Sequence, residues 1–426
     1  MRIYLDYAAT CPIQPQVLDA YVEELRQVGN PSALHASGQS ARMRLEAARE
    51  QLAQCVGAQS AEVVFTSGGT EADNLALKGL FWQANKAHLT TGAPHERPVV
   101  MVSAIEHSAI LETAEWLETQ GATIITLPVD EQGVVRVDAA RELLETHGPR
   151  TAVVSVMWAN NEIGVLQPVP EITQLAHAHG ALMHTDAVQA LGNVDLNFSE
   201  AGVDAMTVTA HKLGGPVGIG ALILKRGVNA VPVLHGGGQE RSVRSGTLDV
   251  PGAVAFATAA RLATENRDEK VRIARLRDRL IAGIEERIPD AQLTGPRGDG
   301  RLPGNAHFVF PGCEGDTLLF GLDMAGFDTA TGSACSAGVN RPSHVLLALG
   351  RSEDNARSSQ RFTLGPGTTE EHIDALLKVL PEVVENARKA GMVSATPAWM
   401  TAGEGSSETA SKTSSAHTDT EGTETS

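Results

Sequence analysis

Thr207–Lys225, "TVTAHKLGGPVGIGALILK", reads as a short β-branched run, a lysine, four glycines broken by one proline, and a second apolar run. Two strands joined by a glycine-rich connection satisfy that pattern. The lysine, Lys212, then sits just past a strand end. Lysine is seldom fully buried, and burial there would lower its pKa and make a neutral amine able to attack a carbonyl. Alone, "TAHK" would be no more than a surface lysine in a turn.

Outward from this stretch the same texture recurs. "EVVFTS", "PVVMVSA", "TIITLPV", "RTAVVSVMW", "ALMHTD", "DAMTVTA" and "GALILK" read as strands between about residues 62 and 225, alternating with helical patterns. About seven strands, several apolar throughout, imply a mostly parallel sheet covered by helices on both faces. Ligands of such sheets bind at the carboxyl ends of the strands. After "HGGGQERSVRSGT" (235–247) the chain turns to a charged helical stretch, "VRIARLRDRLIAGIEERI", and then to shorter α+β material. The expected organisation is a large domain over 13–258 and a small one built from 1–12 and 259–391. The latter carries a glycine-bracketed cysteine loop at about 328–342. Residues 392–426 form a Ser/Thr-rich acidic tail with almost nothing to bury, expected to be disordered.

The 426 residues are 42% hydrophobic and 20% charged, enough for one large or two medium cores. No signal-peptide pattern opens the chain and no run of about 18 apolar residues interrupts it, so a cytoplasmic protein with no membrane partner is expected. Cys11, Cys55, Cys313 and Cys335 lie far apart with no CxxC pair, which favours neither a zinc site nor a disulfide framework. The net charge of −17 disfavours direct nucleic-acid binding, which needs a basic surface.

Other predicted strand ends carry chemistry too. Asp186 in "HTDAVQ" could hold a pyridinium nitrogen protonated, and Gln189 lies three residues on. In "FTSGGTEADN", Gly68, Gly69 and Thr70 lie between a strand and a helix, whose first N–H groups and positive dipole end suit a phosphate. His107 in "SAIEHSAI" could stack on an aromatic ring or move protons. Each alone has a plainer explanation: Asp186 or Thr70 as a helix cap, His107 as a structural histidine. Together, at one sheet edge, they match the needs of an anionic pyridine aldehyde, pyridoxal 5′-phosphate.

With these residues in view, the chain resembles the cysteine desulfurases of the NifS and IscS type, in the class V aminotransferase family of fold-type-I (aspartate aminotransferase-like) pyridoxal-phosphate enzymes. The resemblance covers about residues 3–390 and rests on "YLDYAAT", "GNPSALHASG", "SGGTEADN", "EHSAI", "NNEIGVLQP", "HTDAVQ", "AHK", "GGGQERSVRSGTLDV", "TGSACSAG" and "RFTLG". It implies an α/β fold with a large domain built on a mostly parallel seven-stranded sheet and a smaller α+β domain. It further implies that Lys212 forms the Schiff base with the cofactor, that His107 stacks on the ring, that Asp186 pairs with the ring nitrogen and that Gln189 meets the ring oxygen. Gly69, Thr70, Thr209 and His211 would surround the phosphate, and Thr247 would reach the neighbouring subunit's cofactor, which implies a homodimer. Asn161 would touch cofactor and substrate, and Arg361 would clamp the substrate carboxylate.

Cys335 in "TGSACSAG" matches the persulfide-forming cysteine, and Gly332 and Gly338 on either side suit a swinging loop. The implied reaction converts L-cysteine to L-alanine and hands sulfur to an acceptor protein, an iron–sulfur scaffold or a tRNA-thiolation protein. A selenocysteine lyase or another class V aminotransferase-like enzyme is the alternative, separable by its products. Ala33, Val217 and Pro366 depart from the family pattern without removing a catalytic residue. Cys11 stands where a threonine is common and is read as packing. The tail does not match the family segment that helps dock scaffold proteins, which leaves the acceptor open.

Overall fold

In the computed structural model, residues 2–332 and 342–394 are described. Twelve strands occur among them: β1 (Ile3–Tyr4), β2 (Val63–Thr66), β3 (Val99–Ser103), β4 (Thr123–Leu127), β5 (Thr151–Ser155), β6 (Leu182–Asp186), β7 (Ala205–Thr209), β8 (Gly220–Leu224), β9 (Gln292–Leu293), β10 (Asn305–Val309), β11 (Phe327–Asp328) and β12 (Ser359–Thr363). Seven of these, β2 to β8, form one sheet in the order β2-β8-β7-β6-β5-β3-β4. Every strand of it lies in a segment whose apolar run marks it as a strand.

The sheet is parallel except at β8, which runs antiparallel to both its neighbours, β7 and β2. The cause is local. Only residues 210–219 separate β7 from β8, too few for the crossover that a parallel return requires. Hydrogen bonds from Ala210 N and Thr209 Oγ1 to Ile219 O close this connection at 3.2 and 3.1 Å. Gly214 (φ 79°) and Gly218 (φ 85°) supply its left-handed turns. Lys212 lies within it.

Both faces of the sheet are covered, and successive strand residues divide between them. Val63 and Phe65 of β2, with Ala221 and Ile223 of β8, enter a cluster with Leu45 and Leu52 of the Ala36–Cys55 helix and Phe256 of the Val250–Glu265 helix. Val64 and Leu222 face the other way, against Leu75 and Leu80 of the Gly69–Ala84 helix and Ile110 of the Ser108–Glu118 helix. This alternation is the period of two written in β-structure. Each leucine fully buried here stabilises the fold by about 1.5–3 kcal/mol relative to exposure.

A separate cluster joins Leu5 to Ile273, Leu276, Leu280, Phe308, Phe362, Leu376 and Leu380. Its sheet is antiparallel, β12-β10-β9, and β1 pairs in parallel with β11 nearby. The first residues of the chain therefore belong with the last third of it. The Val250–Glu265 helix runs unbroken through position 258/259, and Ala259 and Ala260 pack in the cluster of the large sheet. A new helix, Arg267–Arg287, starts after Asn266, whose side chain accepts a hydrogen bond from Glu269 N at 3.3 Å and caps it. No helix among the described residues is long and apolar enough to cross a membrane.

Candidate active site

The ends of β2, β3, β5, β6 and β7 lie along one edge of the large sheet, and the polar residues follow from that edge. Lys212 sits in a single 3-10 turn, His211–Leu213, ended by left-handed Gly214. Its amine is half-buried and donates to Ala8 O at 2.5 Å and Ala9 O at 2.7 Å. Burial lowers its pKa from 10.5 to about 8; the Arg361 cation pushes the same way, while Asp6, Cys11 and Asp186 oppose. A neutral amine is thus accessible near neutrality, as carbonyl attack needs.

Asp186, at the end of β6, is buried and accepts Val188 N through Oδ1 at 2.8 Å. Burial raises its pKa, and the proximity of His107 and Lys212 works in the opposite direction. Two further buried acids lie close to it. Asp73, on the Gly69–Ala84 helix, is pushed well above the usual carboxylate range by burial and then by Asp186 and Glu106. Glu106 is pushed up to about 8 by burial, although Oε1 accepts Ser103 Oγ at 2.5 Å and Met157 N at 2.7 Å. His184 is held neutral by burial, its pKa lowered to about 3, with its ring nitrogens 2.9 Å from Ser155 Oγ and 3.1 Å from Thr207 Oγ1. Of the three acids, Asp186 is the one whose carboxyl the nearby His107 and Lys212 cations favour in its charged form.

His107 caps the Ser108–Glu118 helix: its Nδ1 accepts Ala109 N at 3.1 Å, which assigns the ring proton of the neutral form to Nε2. Gly68 (φ 156°, ψ −179°) occupies a backbone region open to glycine, and no atom lies within 4 Å of where its Cβ would be. The turn thus presents open space before the first turn of the 16-residue Gly69–Ala84 helix, where Thr70 is exposed. This is the form of an anion cradle.

Arg361, on β12, reaches this edge from the second sheet. Its Nη2 pairs with Asp6 Oδ1 at 2.7 Å and its Nη1 donates to Asn161 O at 2.8 Å. Its Nε is buried and has no hydrogen-bond partner among the described residues. An unsatisfied N–H on a buried guanidinium is a binding group for a carboxylate.

The other expected residues make the following contacts. Gln189 donates to Ala8 O at 2.9 Å, and Thr209 to Ile219 O. His211 Nδ1 lies 3.2 Å from Thr10 Oγ1, with its pKa lowered to about 4 by burial and by Lys212. Thr247 is exposed on the 235–247 loop and its hydroxyl makes no hydrogen bond among the described residues. Cys335 and Gly338 lie outside the described residues; Gly332 (φ 98°) precedes that stretch.

Some residues of the site were missed or under-read in the sequence. Asp6 and Glu106 sit in the quoted "YLDYAAT" and "EHSAI", but only the fold brings Asp6 to Arg361 and Glu106 beneath Asp186. Cys11 is more than packing: its thiol donates to Lys212 O at 2.9 Å, and burial pushes its pKa up to about 12, so it is held as a thiol. A cavity of about 360 Å3 opens behind Lys212, between Tyr7, Gln14, Asn193 and Ile273; it excludes Thr70, His107 and Asp186. No cluster of metal ligands occurs among the described residues.

The donor set suits pyridoxal 5′-phosphate: an amine of lowered pKa, a buried carboxylate for a pyridinium, an anion cradle and an unsatisfied guanidinium. Fold and site together define a fold-type-I pyridoxal-phosphate enzyme. The family model "Aminotransferase class-V" matches residues 3–376, and the chain belongs to that family. It is 48% identical to an IscS-like cysteine desulfurase of Mycobacterium tuberculosis (strain ATCC 25618 / H37Rv) over 394 residues, 92% of this chain and 98% of the relative. It is 43% identical to cysteine desulfurase IscS of Clostridium botulinum (strain Kyoto / Type A2), covering 91% of this chain and 96% of that one. Among solved structures, a NifS-like protein superposes with a TM-score of 0.82 at 33% identity, covering 91% of this chain and all of the other.

Proposed function

We propose that this protein is a cysteine desulfurase that converts L-cysteine to L-alanine and transfers the sulfur to its own Cys335. The observation that carries the reading is the nearness of a lysine of lowered pKa to a buried arginine whose Nε has no partner among the described residues. A neutral amine and a carboxylate clamp are what an α-amino-acid substrate on pyridoxal phosphate requires.

Lys212 would hold the cofactor, Asp186 its ring nitrogen, and Gly69 and Thr70 its phosphate, with Thr209 and His211 bordering the same edge. The bound cofactor supplies an electron sink that loosens the bonds of the substrate's α and β carbons. Arg361, oriented by Asp6 and the Asn161 carbonyl, would fix the substrate carboxylate. Lys212, released as a free amine, would move the α proton, and the Nε2–H of His107 would serve the substrate sulfur. The Cys335 thiolate would attack that sulfur: the Cβ–S bond breaks, a persulfide forms on Cys335, and a proton completes the methyl group of alanine.

A homodimer, with Thr247 directed to the second subunit's cofactor, fits the strongly exposed Val28 (84%), Leu34 (89%), Met43 (69%) and Val217 (76%). We assign the two cores to two domains, the smaller built from residues 1–12 and from the Arg267–Arg287 helix to about residue 391, in place of the boundary at 258/259. A cytoplasmic location and a sulfur-acceptor protein, serving iron–sulfur assembly or tRNA thiolation, complete the reading. Incubation with L-cysteine should yield alanine and protein-bound persulfide in equal amounts. Keto acid in place of alanine would refute it.

A further inference from the structure

The 235–247 loop contains three successive residues with side chains in the left-handed region: Glu240 (φ 47°), Arg241 (φ 56°) and Ser242 (φ 64°). That conformation brings Cβ too near the following carbonyl, and three in a row persist only where the surroundings hold them. Two ion pairs do so, and both are anchored beside the Gly68–Thr70 turn.

The first is buried. Glu240, its side chain 1% exposed, receives both ends of the Arg49 guanidinium at 2.7 and 2.6 Å and also Phe65 N, in β2, at 2.8 Å. Arg49 further donates to Val63 O at 2.8 Å and lies over the Phe65 ring, 4.9 Å from its centroid. In the second, Arg244 grips Glu71 through Nε at 2.7 Å and Nη2 at 3.2 Å. Glu71 also accepts Ser67 N at 2.7 Å. Burial works against ionisation of Glu71, yet the bonds from Arg244 and Ser67 keep its pKa below the usual range. The turn between Phe65 and Glu71 is therefore held at its entrance by Glu240 and at its exit by Arg244.

We propose that Arg244 and Glu71, with Arg49 and Glu240, are positioning residues for the phosphate cradle, so that the strained loop and the Ser67–Thr70 turn act as one unit. This rests on the reading of Gly69 and Thr70 as the phosphate site. Residues that fix the shape of an anion site act on the anion's affinity and leave the rest of the ligand's contacts alone.

The test compares pyridoxal 5′-phosphate with pyridoxal, which lacks only the phosphate, by absorbance titration of the full-length apoprotein. Arg244→Ala should weaken pyridoxal 5′-phosphate binding by about tenfold or more and leave pyridoxal binding within about twofold of wild type. Glu71→Gln should do the same, and the double variant should be no worse than either single one. Unchanged pyridoxal 5′-phosphate affinity in Arg244→Ala, or equal weakening of both ligands, overturns the proposal. Should Arg244→Ala fail to fold, Arg244→Lys, which keeps the charge without the fork, must show the same selective loss. Thr70→Ala separates the underlying reading: loss of phosphate preference there, with wild-type behaviour in Arg244→Ala, refutes the coupling alone. Undiminished phosphate preference in both variants refutes the phosphate site itself.

Discussion

Replacing Arg361 by lysine keeps the positive charge and removes the fork. In the wild type the guanidinium is almost fully enclosed, with Nη2 on Asp6 at 2.7 Å, Nη1 on the Asn161 carbonyl at 2.8 Å and Nε without a partner among the described residues. A lysine ammonium in that space can satisfy Asp6 or the substrate carboxylate, not both in the same geometry, because it offers no second arm at a fixed angle. One charge-assisted hydrogen bond is lost, about 1.5–3 kcal/mol, which corresponds to roughly a 10- to 150-fold fall in kcat/KM for cysteine. Alanine formation under initial-rate conditions measures it, and the loss should fall mainly on KM, since the clamp binds the carboxylate before and during chemistry alike. A variant with wild-type KM would refute the assignment of Arg361 as the clamp.

Three other consequences can be checked. With a pKa of about 8 instead of 10.5, the Lys212 amine is neutral in roughly a tenth of molecules at pH 7, against ~0.03% for an ordinary lysine; the rate at which apoprotein captures pyridoxal phosphate should rise with pH and level off above about 8. A rate still climbing tenfold per pH unit at pH 9.5 would contradict this. Glu106, raised from 4.5 to about 8, binds its proton more tightly folded than unfolded, so its contribution is complete below about pH 4.5 and is lost as pH rises through about 8. Glu106→Gln should therefore flatten the decline of denaturant-measured stability between pH 5 and 8, by an amount on the order of a few kcal/mol; an unaltered slope would exclude a protonated Glu106. Cys335→Ser should abolish persulfide and alanine formation while leaving the cofactor's visible absorbance in place, and retained turnover would remove Cys335 from the reaction.

The seven strands of the large sheet were legible because each is a short apolar run between turn residues, and burial on both faces makes such runs continuous. That burial also pointed to a mostly parallel sheet, as found, but not to the strand that breaks the rule. Hydrophobic periodicity carries no polarity, and β8 runs against its neighbours only because ten residues cannot make a crossover. The two-residue strands β1 and β11 offer no period at all. In the site, Lys212, Asp186 and His107 could be singled out because each follows a strand and brings a reactive group. Asp6, Asp73 and His184 could not: Asp6 meets Arg361 across 355 positions of sequence, and Asp73 and His184 have their pKa values shifted by burial, which only tertiary packing sets. Thr209, singled out as a residue at a strand end, also closes the β7–β8 connection through its hydroxyl, a contact that its position in the sequence does not announce.

The central claim is that one amine, that of Lys212, carries the cofactor. Borohydride reduction of the protein with pyridoxal 5′-phosphate, followed by peptide mass spectrometry, addresses it directly. The account predicts a phosphopyridoxyl group on the peptide containing Lys212 and its absence from Lys212→Ala. A label seated on another lysine, or a Lys212→Ala protein labelled as fully as wild type, would contradict it.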